Sequence, residues 1–340
     1  MTATMKKMIL LLIALVAVMG IHAQVVVEVY KNEVLQATYF NTTANKYKVR
    51  FKKASDGSNE QVDIYKNGTF DESYTNTSDA KYKVIFRELD GGTINNHDYI
   101  NIGGKKWGTM NVGATTVAES NTTSFGDYYA WGEVDTYYSL IDRSSSNITW
   151  KSSDQTHVTG SKTSYNIANY CGGSSSVTFS EWSPVPYNSE SKVLTESYDV
   201  AHQKWGSTWR MPTTDEFKSL YDACGGTVTK TMSGDKNHLS AGGIYWLEAN
   251  TTVDEIEYKV AGMLFVSTTT TSSRVFFPAA GDIVTTSLKS DFGDYWSSSL
   301  YEDTNKLYRQ SHCFEFKNSE VNSQNNANRY VGHTIRAVSE

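Results

Sequence analysis

The sequence has little cysteine, little proline and few charged residues for its length. Its 340 residues include 3 cysteines and 4 prolines, and 20% of them are charged. Three cysteines form one internal disulfide at most, so disulfides do not hold this fold, and the pairing among Cys171, Cys224 and Cys313 stays open. Four prolines beside 24 glycines exclude a collagen-like or proline-rich stalk. Aromatic residues at 13% and hydrophobic residues at 39% argue against wholesale disorder.

Long apolar runs are also lacking, except at the amino terminus. Lys6 and Lys7 precede an apolar stretch over residues 8–18, and Ala23 offers a small residue for cleavage. We interpret residues 1–23 as a secretory signal peptide, because about 11 apolar residues are too few for the ~20 that span a bilayer. The alternative is an uncleaved anchor. We expect an exported chain, secreted or at the cell surface, with no membrane insertion of the mature chain.

Positive charge is scarce in the mature chain. Removal of residues 1–23 reduces the basic residues from 31 to 29 against 37 acidic ones, which gives a net charge of −8. A negatively charged chain without a basic stripe repels phosphate backbones. We therefore expect no nucleic acid among its partners.

The amino-terminal part contains an internal repeat. Tyr30-Lys31-Asn32 recurs 35 residues later as Tyr65-Lys66-Asn67, and segment 46–51 recurs as 81–86. Alternating apolar and polar residues in each copy predict short antiparallel strands, with a hairpin turn at Asn67-Gly68. We predict two tandem 35-residue β repeats over 24–91, which serve either as a spacer or as a layer packed on the rest of the chain.

The remaining residues, 92–340, are predicted to form one α+β domain. One helix is expected over 195–204, with Gly206 as its carboxyl-terminal cap. A second helix is expected to begin at Thr213, because Glu216 follows at the spacing of a capping box. Few helices among many short strands indicate the α+β class.

The strands of this domain are predicted from alternating apolar and polar residues. Tyr99 to Trp107 predicts a hairpin around Gly103-Gly104, and the polar stretch 134–192 predicts an insertion of long loops. Further short strands are expected at residues 244–246, 258–265, 274–277, 295–298, 307–316 and 334–338.

Catalytic motifs are lacking. The sequence has no His-Glu-x-x-His, no Gly-x-Ser-x-Gly, no phosphate loop and no dinucleotide-binding glycine pattern. Cys313 stands beside His312, but neighbours along a strand face opposite sides, which disfavours a nucleophile and base pair. We expect a protein that is not an enzyme, with no cofactor and no metal site. The remaining histidines are scattered without metal-ligand spacing: His97, His157, His202, His238, His312 and His333.

The carboxyl-terminal segment, 295–338, alternates short framework pieces with stretches rich in Asn, Tyr, Ser and Gln. Such side chains supply flat aromatic area and adaptable hydrogen bonds, which are typical of surfaces that bind proteins or sugars. The alternative is an ordinary polar loop rich in turn residues.

Several ordered motifs resemble the major paralogous domain family of exported Bacteroidetes and Fibrobacter proteins. This family is related in pattern to C-type-lectin-like folds and to the formylglycine-generating-enzyme fold. The resemblance implies a C-type-lectin-like domain with two helices, a small antiparallel sheet, long loops and paired terminal strands. The copper-site motif of the enzymes and the calcium motifs of sugar-binding lectins are missing, so neither activity is carried over. The motifs lie at residues 107–111, 129–133, 209–217, 277–281, 293–299 and 335–336.

The carboxyl terminus also resembles the variable region of the variable proteins of diversity-generating retroelements. The resemblance rests on Tyr-Trp-Ser-Ser-Ser at 295–299, an Asn-rich stretch and a final Gly-x-x-x-Arg at 332–336. It implies a scaffold that includes Trp296, Phe314, Phe316 and Arg336. It also implies ligand contacts at Tyr301, Glu302, Asp303, Asn305, Tyr308, Gln310, His312, Asn322, Gln324, Asn326 and Tyr330.

The first functional hypothesis is an exported, non-catalytic binding protein whose carboxyl-terminal polar and aromatic face recognises a protein or glycan. Tyr301, Tyr308 and Tyr330 would be its aromatic anchors. The second hypothesis is a structural adhesin or fimbria-like surface component assembled through the β repeats. The third and remotest is a formylglycine-generating-type enzyme.

Overall fold

The computed structural model shows a chain that is mostly β. Of the residues it describes, 51% lie in strands and 9% in helices, and the strands form many small sheets. The prediction of an α+β, C-type-lectin-like fold with two helices and one small sheet is therefore wrong. The described residues are 25–32, 34–40, 46–53, 60–88, 90–151, 163–167, 169–170, 187–235, 237–239, 241–254, 256–302 and 309–340.

The chain divides into two compact units with a boundary between Thr93 and Ile94. The predicted boundary stood two residues earlier, between residues 91 and 92. The strands of the amino-terminal unit are β1 (Val25–Lys31), β2 (Val34–Phe40), β3 (Tyr47–Lys53), β4 (Glu60–Lys66), β5 (Thr69–Thr75) and β6 (Tyr82–Glu88), and β7 (Gly91–Ile94) crosses the boundary.

The sequence repeat is a repeat of three strands. β1, β2 and β3 begin at residues 25, 34 and 47, and β4, β5 and β6 begin 35 residues later, at 60, 69 and 82. The predicted hairpin turn is confirmed, because β4 and β5 are joined by Asn67 and Gly68 with φ angles of +52° and +87°. Positive φ at both central residues is the geometry that Asn-Gly turns adopt.

The two repeats exchange their third strands. One sheet has the order β2-β1-β6 and the other β5-β4-β3, so each takes two strands from one repeat and one from the other. The pairings are equivalent, since Val29 lies opposite Val84 and Ile64 lies opposite Val49. Neither repeat completes its own sheet. The core that they share contains Val27, Val29, Ala37, Tyr39, Val62, Ile64 and Tyr74.

The larger unit contains several short sheets. β24 pairs with β9 and β9 with β8, while four strands follow the order β12-β13-β16-β17 and three follow the order β20-β21-β22. The strands are β8 (His97–Ile102), β9 (Lys105–Asn111), β10 (Tyr138–Asp142), β11 (Asn147–Trp150), β12 (Val228–Met232), β13 (Gly243–Leu247), β14 (Thr251–Val253), β15 (Ile256–Tyr258), β16 (Gly262–Val266), β17 (Arg274–Pro278), β18 (Asp282–Val284), β19 (Ser287–Leu288), β20 (Gly293–Leu300), β21 (Gln310–Lys317), β22 (Glu320–Asn328), β23 (Gly332–His333) and β24 (Arg336–Ser339).

The helices of the larger unit are short. The second predicted helix is confirmed: Thr213 caps it, and the Thr213 and Glu216 side chains form the expected capping box. The first prediction is wrong at its start, because the Asp199 side chain accepts from the His202 amide and begins the helix there; Gly206 caps its end as predicted. The helices are α1 (Asn121–Ser124), a 3-10 turn (Glu196–Tyr198), α2 (Val200–Trp205) and α3 (Thr214–Ala223).

Local sequence explains why strands dominate. The longest helix among the described residues has 10 residues, because Pro212 stands before it and the pair Gly225-Gly226, both with positive φ, follows its end. Elsewhere β-branched and aromatic residues alternate with polar ones, which favours strands. The predicted hairpin at Gly103-Gly104 is confirmed by β8 and β9. Among the described residues, no helix is long and apolar enough to cross a membrane.

Buried aromatic side chains hold the larger unit together. Trp107, Trp131, Trp209 and Trp296 are fully buried. Arg336 is buried with them, where its guanidinium donates at 2.8 Å to the carbonyls of Gly108 and Phe276. These bonds tie β24 to β9 and β17. Packing among aromatic rings from distant strands, rather than helix formation, therefore determines this fold.

Candidate functional site

The predicted contact residues lie mainly on the last hairpin of the chain, β21 and β22. The strands pair antiparallel, with Gln310 opposite Asn328 and His312 opposite Asn326. The register shifts between Cys313 and Glu315, where β22 has one residue more than β21. Such a bulge bends the strand and changes which side chains share a face.

Four polar side chains share one side of the hairpin near its open end: Gln310, His312, Asn326 and Asn328. The Tyr301 ring lies against them, with its centroid 5.3 Å from that of His312 and an interplanar angle of 82°. We call these five residues the amide face. All five are half-buried, so part of each side chain meets solvent.

The polar groups of the amide face are only partly used by the fold. The Asn328 amide donates to the Tyr330 hydroxyl at 3.1 Å, and His312 Nδ1 lies 3.3 Å from the Asn325 carbonyl. Within the described residues, the side chains of Gln310 and Asn326 make no hydrogen bond. Buried polar groups normally find partners. Half-buried amides without partners are therefore available to a ligand.

Burial favours the neutral form of the His312 imidazole. Burial lowers its pKa below the usual value of 6.5, although the Asn325 and Gln324 backbone contacts and Asp215 act in the opposite direction. A neutral ring that donates from Nδ1 to Asn325 leaves Nε2 as a hydrogen-bond acceptor. The amide face thus combines amide donors, amide acceptors and one imidazole acceptor without a net charge.

The opposite side of the hairpin has a different chemistry. Asn322 lies opposite Glu315 there, and the Asn325 amide donates to Glu315 at 2.7 Å. Lys317 lies 3.1 Å from Glu315 and 3.8 Å from Glu320. These side chains pair with one another, so this side is an ion-paired surface.

The structure therefore divides the predicted contacts instead of gathering them. Tyr301, Gln310, His312 and Asn326 belong to the amide face, and Tyr330 lies beside it through Asn328. Asn322 is on the opposite side, because the bulge in β22 reverses the alternation. Gln324 is exposed at the bulge, and Glu302 is half exposed, 3.5 Å from Lys192. Asp303, Asn305 and Tyr308 lie outside the described residues.

Two residues of the face and its surroundings were not anticipated from the sequence. Asn328 completes the amide face, and Glu315 organises the opposite side. Asn328 could have been found from Asn326, because residues two apart on a strand share a side. The bulge has no local sequence marker, so the reversal at Asn322 could not have been found in this way.

Two of the three scaffold residues lie on the same side of β21 as the amide face, and the third lies behind it. Trp296, Phe314 and Phe316 are fully buried, as the resemblance implied for a scaffold. Phe314 stacks on Phe217 of α3, with centroids 4.6 Å apart and rings 7° from parallel. By strand alternation Phe314 and Phe316 continue the side of Gln310 and His312 into a buried apolar end that packs on α3, whereas Trp296 lies opposite Cys313 on the other side.

A second group of chemically active side chains lies under the hairpin. Asp294 on β20, Cys313 on β21 and His333 on β23 bring a carboxylate, a thiol and an imidazole within 4.8 Å of one another. All three are buried, and Cys313 is a free thiol. Residues 294, 313 and 333 are far apart in the sequence, so no local spacing of residues predicted this group. We call it the buried triad.

Burial opposes the charged form of each member of the buried triad. It raises the pKa of Asp294 and of Cys313 well above their usual values, and it lowers the pKa of His333 to about 3. His333 Nε2 lies 3.3 Å from Asp294 Oδ2, and burial disfavours the charged form of both groups. A thiol with a raised pKa is a poor nucleophile, and solvent does not reach it.

Two clefts of the larger unit lie away from the amide face. They measure about 490 and 520 Å³ and include Trp205 and Trp209, respectively, among their lining residues, and neither includes a residue of the amide face. Small molecules bind mainly in concave sites. Neither of these two clefts therefore coincides with the predicted contact surface.

Comparison with known proteins does not extend these observations: no family model, no curated protein and no solved structure matched the chain.

Proposed function

We propose that this chain is an exported, non-catalytic binding protein that recognises a protein or glycan through the amide face. The observation that carries the proposal is the pair Gln310 and Asn326, whose half-buried amides make no hydrogen bond within the described residues although the strands beneath them are held by a fully buried aromatic scaffold. Rigid backbone with unused amide groups favours specific recognition, because little ordering is needed on binding.

Tyr301 is the aromatic anchor of this proposed surface. Its ring meets His312 edge to face, and Tyr rings with a free polar tip are common at the centres of binding surfaces. The neutral His312 and the neighbouring amides would supply the directional hydrogen bonds. The absence of net charge on the face favours ligands with hydroxyl and amide groups over phosphates or polycations.

The experiment uses the full chain on two arrays, one of printed glycans and one of extracellular protein domains. A captured ligand is then titrated against the wild type, the Gln310→Ala/Asn326→Ala variant and Asn322→Ala. Asn322 is the matched control, because it is an asparagine of the same strand on the opposite side. We expect a loss of about tenfold or more in affinity for the double variant and less than about twofold for the control.

Two results would contradict the proposal. One is unchanged affinity of the double variant for a captured ligand. The other is equal loss in the double variant and in Asn322→Ala, since that would place the contact outside the amide face.

The resemblance to retroelement variable proteins extends this proposal to diversification. If the amide face is diversified, sequences of this locus from several isolates will differ mainly at the eleven predicted contact positions and not at Trp296, Phe314 or Phe316. Substitutions spread evenly over scaffold and contacts would contradict it.

A second candidate function is assembly at a surface through the amino-terminal repeats. The exchange of β3 and β6 between repeats favours it, because the same exchange between two chains would join them. Light scattering of the full chain across a wide concentration range tests this candidate. A mass that rises with concentration supports assembly, and a constant monomer mass contradicts it.

A further inference from the structure

The buried triad has the composition of a metal site and leaves several polar atoms without hydrogen bonds, although the side chains of Asp294 and Cys313 bond to each other. Both ring nitrogens of His333 and Oδ1 of Asp294 are buried and have no hydrogen-bond partner within the described residues. Leaving a buried polar group without a partner is costly, and a buried histidine normally makes a hydrogen bond through at least one ring nitrogen. One ligand atom each from Asp294, Cys313 and His333 lies within 4.8 Å of the other two.

The backbone fixes the three side chains on separate strands. Cys313 lies directly opposite Trp296, two residues along β20 from Asp294, so the thiol and carboxyl groups share one side of that sheet. His333 exchanges two backbone hydrogen bonds with Tyr129, at 2.9 and 3.1 Å, and its ring stacks on Trp296 with centroids 4.1 Å apart. The site is therefore preorganised rather than formed by mobile side chains.

We propose that Asp294, Cys313 and His333 bind one divalent transition-metal ion, Zn²⁺ by the nature of the three ligands. Thiolate and imidazole ligands select zinc over calcium and magnesium, which prefer sets of oxygen ligands. Ligand atoms on one tetrahedral zinc are about 3.3–3.8 Å apart. Asp294 Oδ2 and His333 Nε2 already stand 3.3 Å apart, and the third ligand atom is within 4.8 Å of both.

A nearby carboxylate supports the positive charge of such an ion. Asp282 lies opposite His333 in the pairing of β18 with β23, and its Oδ1 is buried without a hydrogen-bond partner in the described part of the chain. Binding would release the Cys313 proton, as thiolate coordination requires. The bound ion would join β20, β21 and β23 behind the amide face. Three protein side chains would bind the ion, which leaves a fourth coordination position for water or Asp282.

The test is metal content and cobalt spectroscopy of the purified full chain. The protein is produced in media supplemented with Zn²⁺ or with Co²⁺, desalted, and measured by mass spectrometry of the metal and by visible absorption. We expect about one metal ion per chain, a thiolate-to-cobalt charge-transfer band, and a thermal midpoint roughly 5–10 °C higher than that of metal-free protein when free zinc is about a hundredfold above its dissociation constant.

The variants separate this site from other thiols. Cys171→Ser/Cys224→Ser leaves Cys313 as the single cysteine and should keep both the metal and the band. Cys313→Ser and His333→Gln should each reduce bound metal at least tenfold. Metal content below about a tenth of an ion per chain in both media overturns the proposal, as does full retention of metal by Cys313→Ser.

If Cys313→Ser does not fold, the cobalt spectrum of Cys171→Ser/Cys224→Ser tests the site, because the one thiol of that variant is Cys313. A charge-transfer band supports the site, and bound cobalt without that band overturns it.

Discussion

The two units of this chain are stabilised by different means. In the amino-terminal unit two copies of a three-strand motif complete each other by exchanging strands, and three equivalent positions of each copy contribute to the small shared core: Val27 and Val62, Val29 and Ile64, Tyr39 and Tyr74. The described part of the larger unit shows no such regularity, and its fully buried tryptophans come from distant segments and pack among many short sheets. The structure of the repeated unit can be predicted from local sequence. Packing between aromatic residues that are far apart in the sequence cannot be predicted in this way.

The largest effect should come from the aromatic core of the larger unit. The Trp107 ring is fully buried against Phe217 and Phe277, with centroids 5.5 and 6.1 Å away. Trp107→Ala should cost about 3–5 kcal/mol of unfolding free energy, because it leaves a large cavity. Denaturant-dependent hydrogen exchange of α3 measures this loss, and Trp107→Phe, which keeps a ring, should cost clearly less. Equal costs for the two variants would contradict the packing argument.

The next effect tests the exchange of strands in the amino-terminal unit. Ile64 is fully buried on β4 and lies opposite Val49 of the other repeat. Ile64→Ala should cost about 2–5 kcal/mol and should open both three-stranded sheets together, since each contains strands from both repeats. Hydrogen exchange of peptides from β1 and β3 measures this.

The equivalent residue in the first repeat provides the matched variant. Val29 is also fully buried, and Val29→Ala should expose the same two sheets with a smaller loss. If either variant increased exchange in one sheet alone, the shared core would not be the unit of stability.

A smaller effect is expected where the repeats meet. The hydroxyls of Tyr39 and Tyr74, equivalent positions in the two repeats, are 2.5 Å apart and lie 2.8 and 2.7 Å from Oε2 of Glu72, so the two O–H groups share one hydrogen-bond network; Ala37 stands at the position of Glu72 in the first repeat. Tyr39→Phe and Tyr74→Phe should each cost about 1 kcal/mol. Because they share a bond, the double variant should cost less than the sum. Thermal unfolding of the four proteins measures this coupling, and strict additivity would contradict it.

The sequence predicted those features whose causes are local. The capping box of Thr213 and Glu216, the turn at Asn67-Gly68 and the hairpin at Gly103-Gly104 each depend on a few neighbouring residues, and all are confirmed. The α+β class was wrong because the two predicted helices are short, with 6 and 10 residues, and stand among many strands of two to nine residues.

The candidate site was only partly predictable for the same reason. Polar residues at Gln310, His312 and Asn326 could be recognised from composition and alternation. The reversal at Asn322 depends on one extra residue in β22, and the buried triad depends on three strands that meet only in the folded chain. Long-range contacts of this kind leave no spacing in the sequence.

The central claim is that the fold holds the side chains of the amide face in place, while the stability of the fold does not depend on those side chains. The most direct measurement is the unfolding free energy of Gln310→Ala/Asn326→Ala beside that of Phe314→Ala, a buried neighbour on the same hairpin. We predict at most about 0.5 kcal/mol lost for each of the two polar positions and about 3–5 kcal/mol for Phe314→Ala. A polar double variant as unstable as Phe314→Ala would contradict the claim.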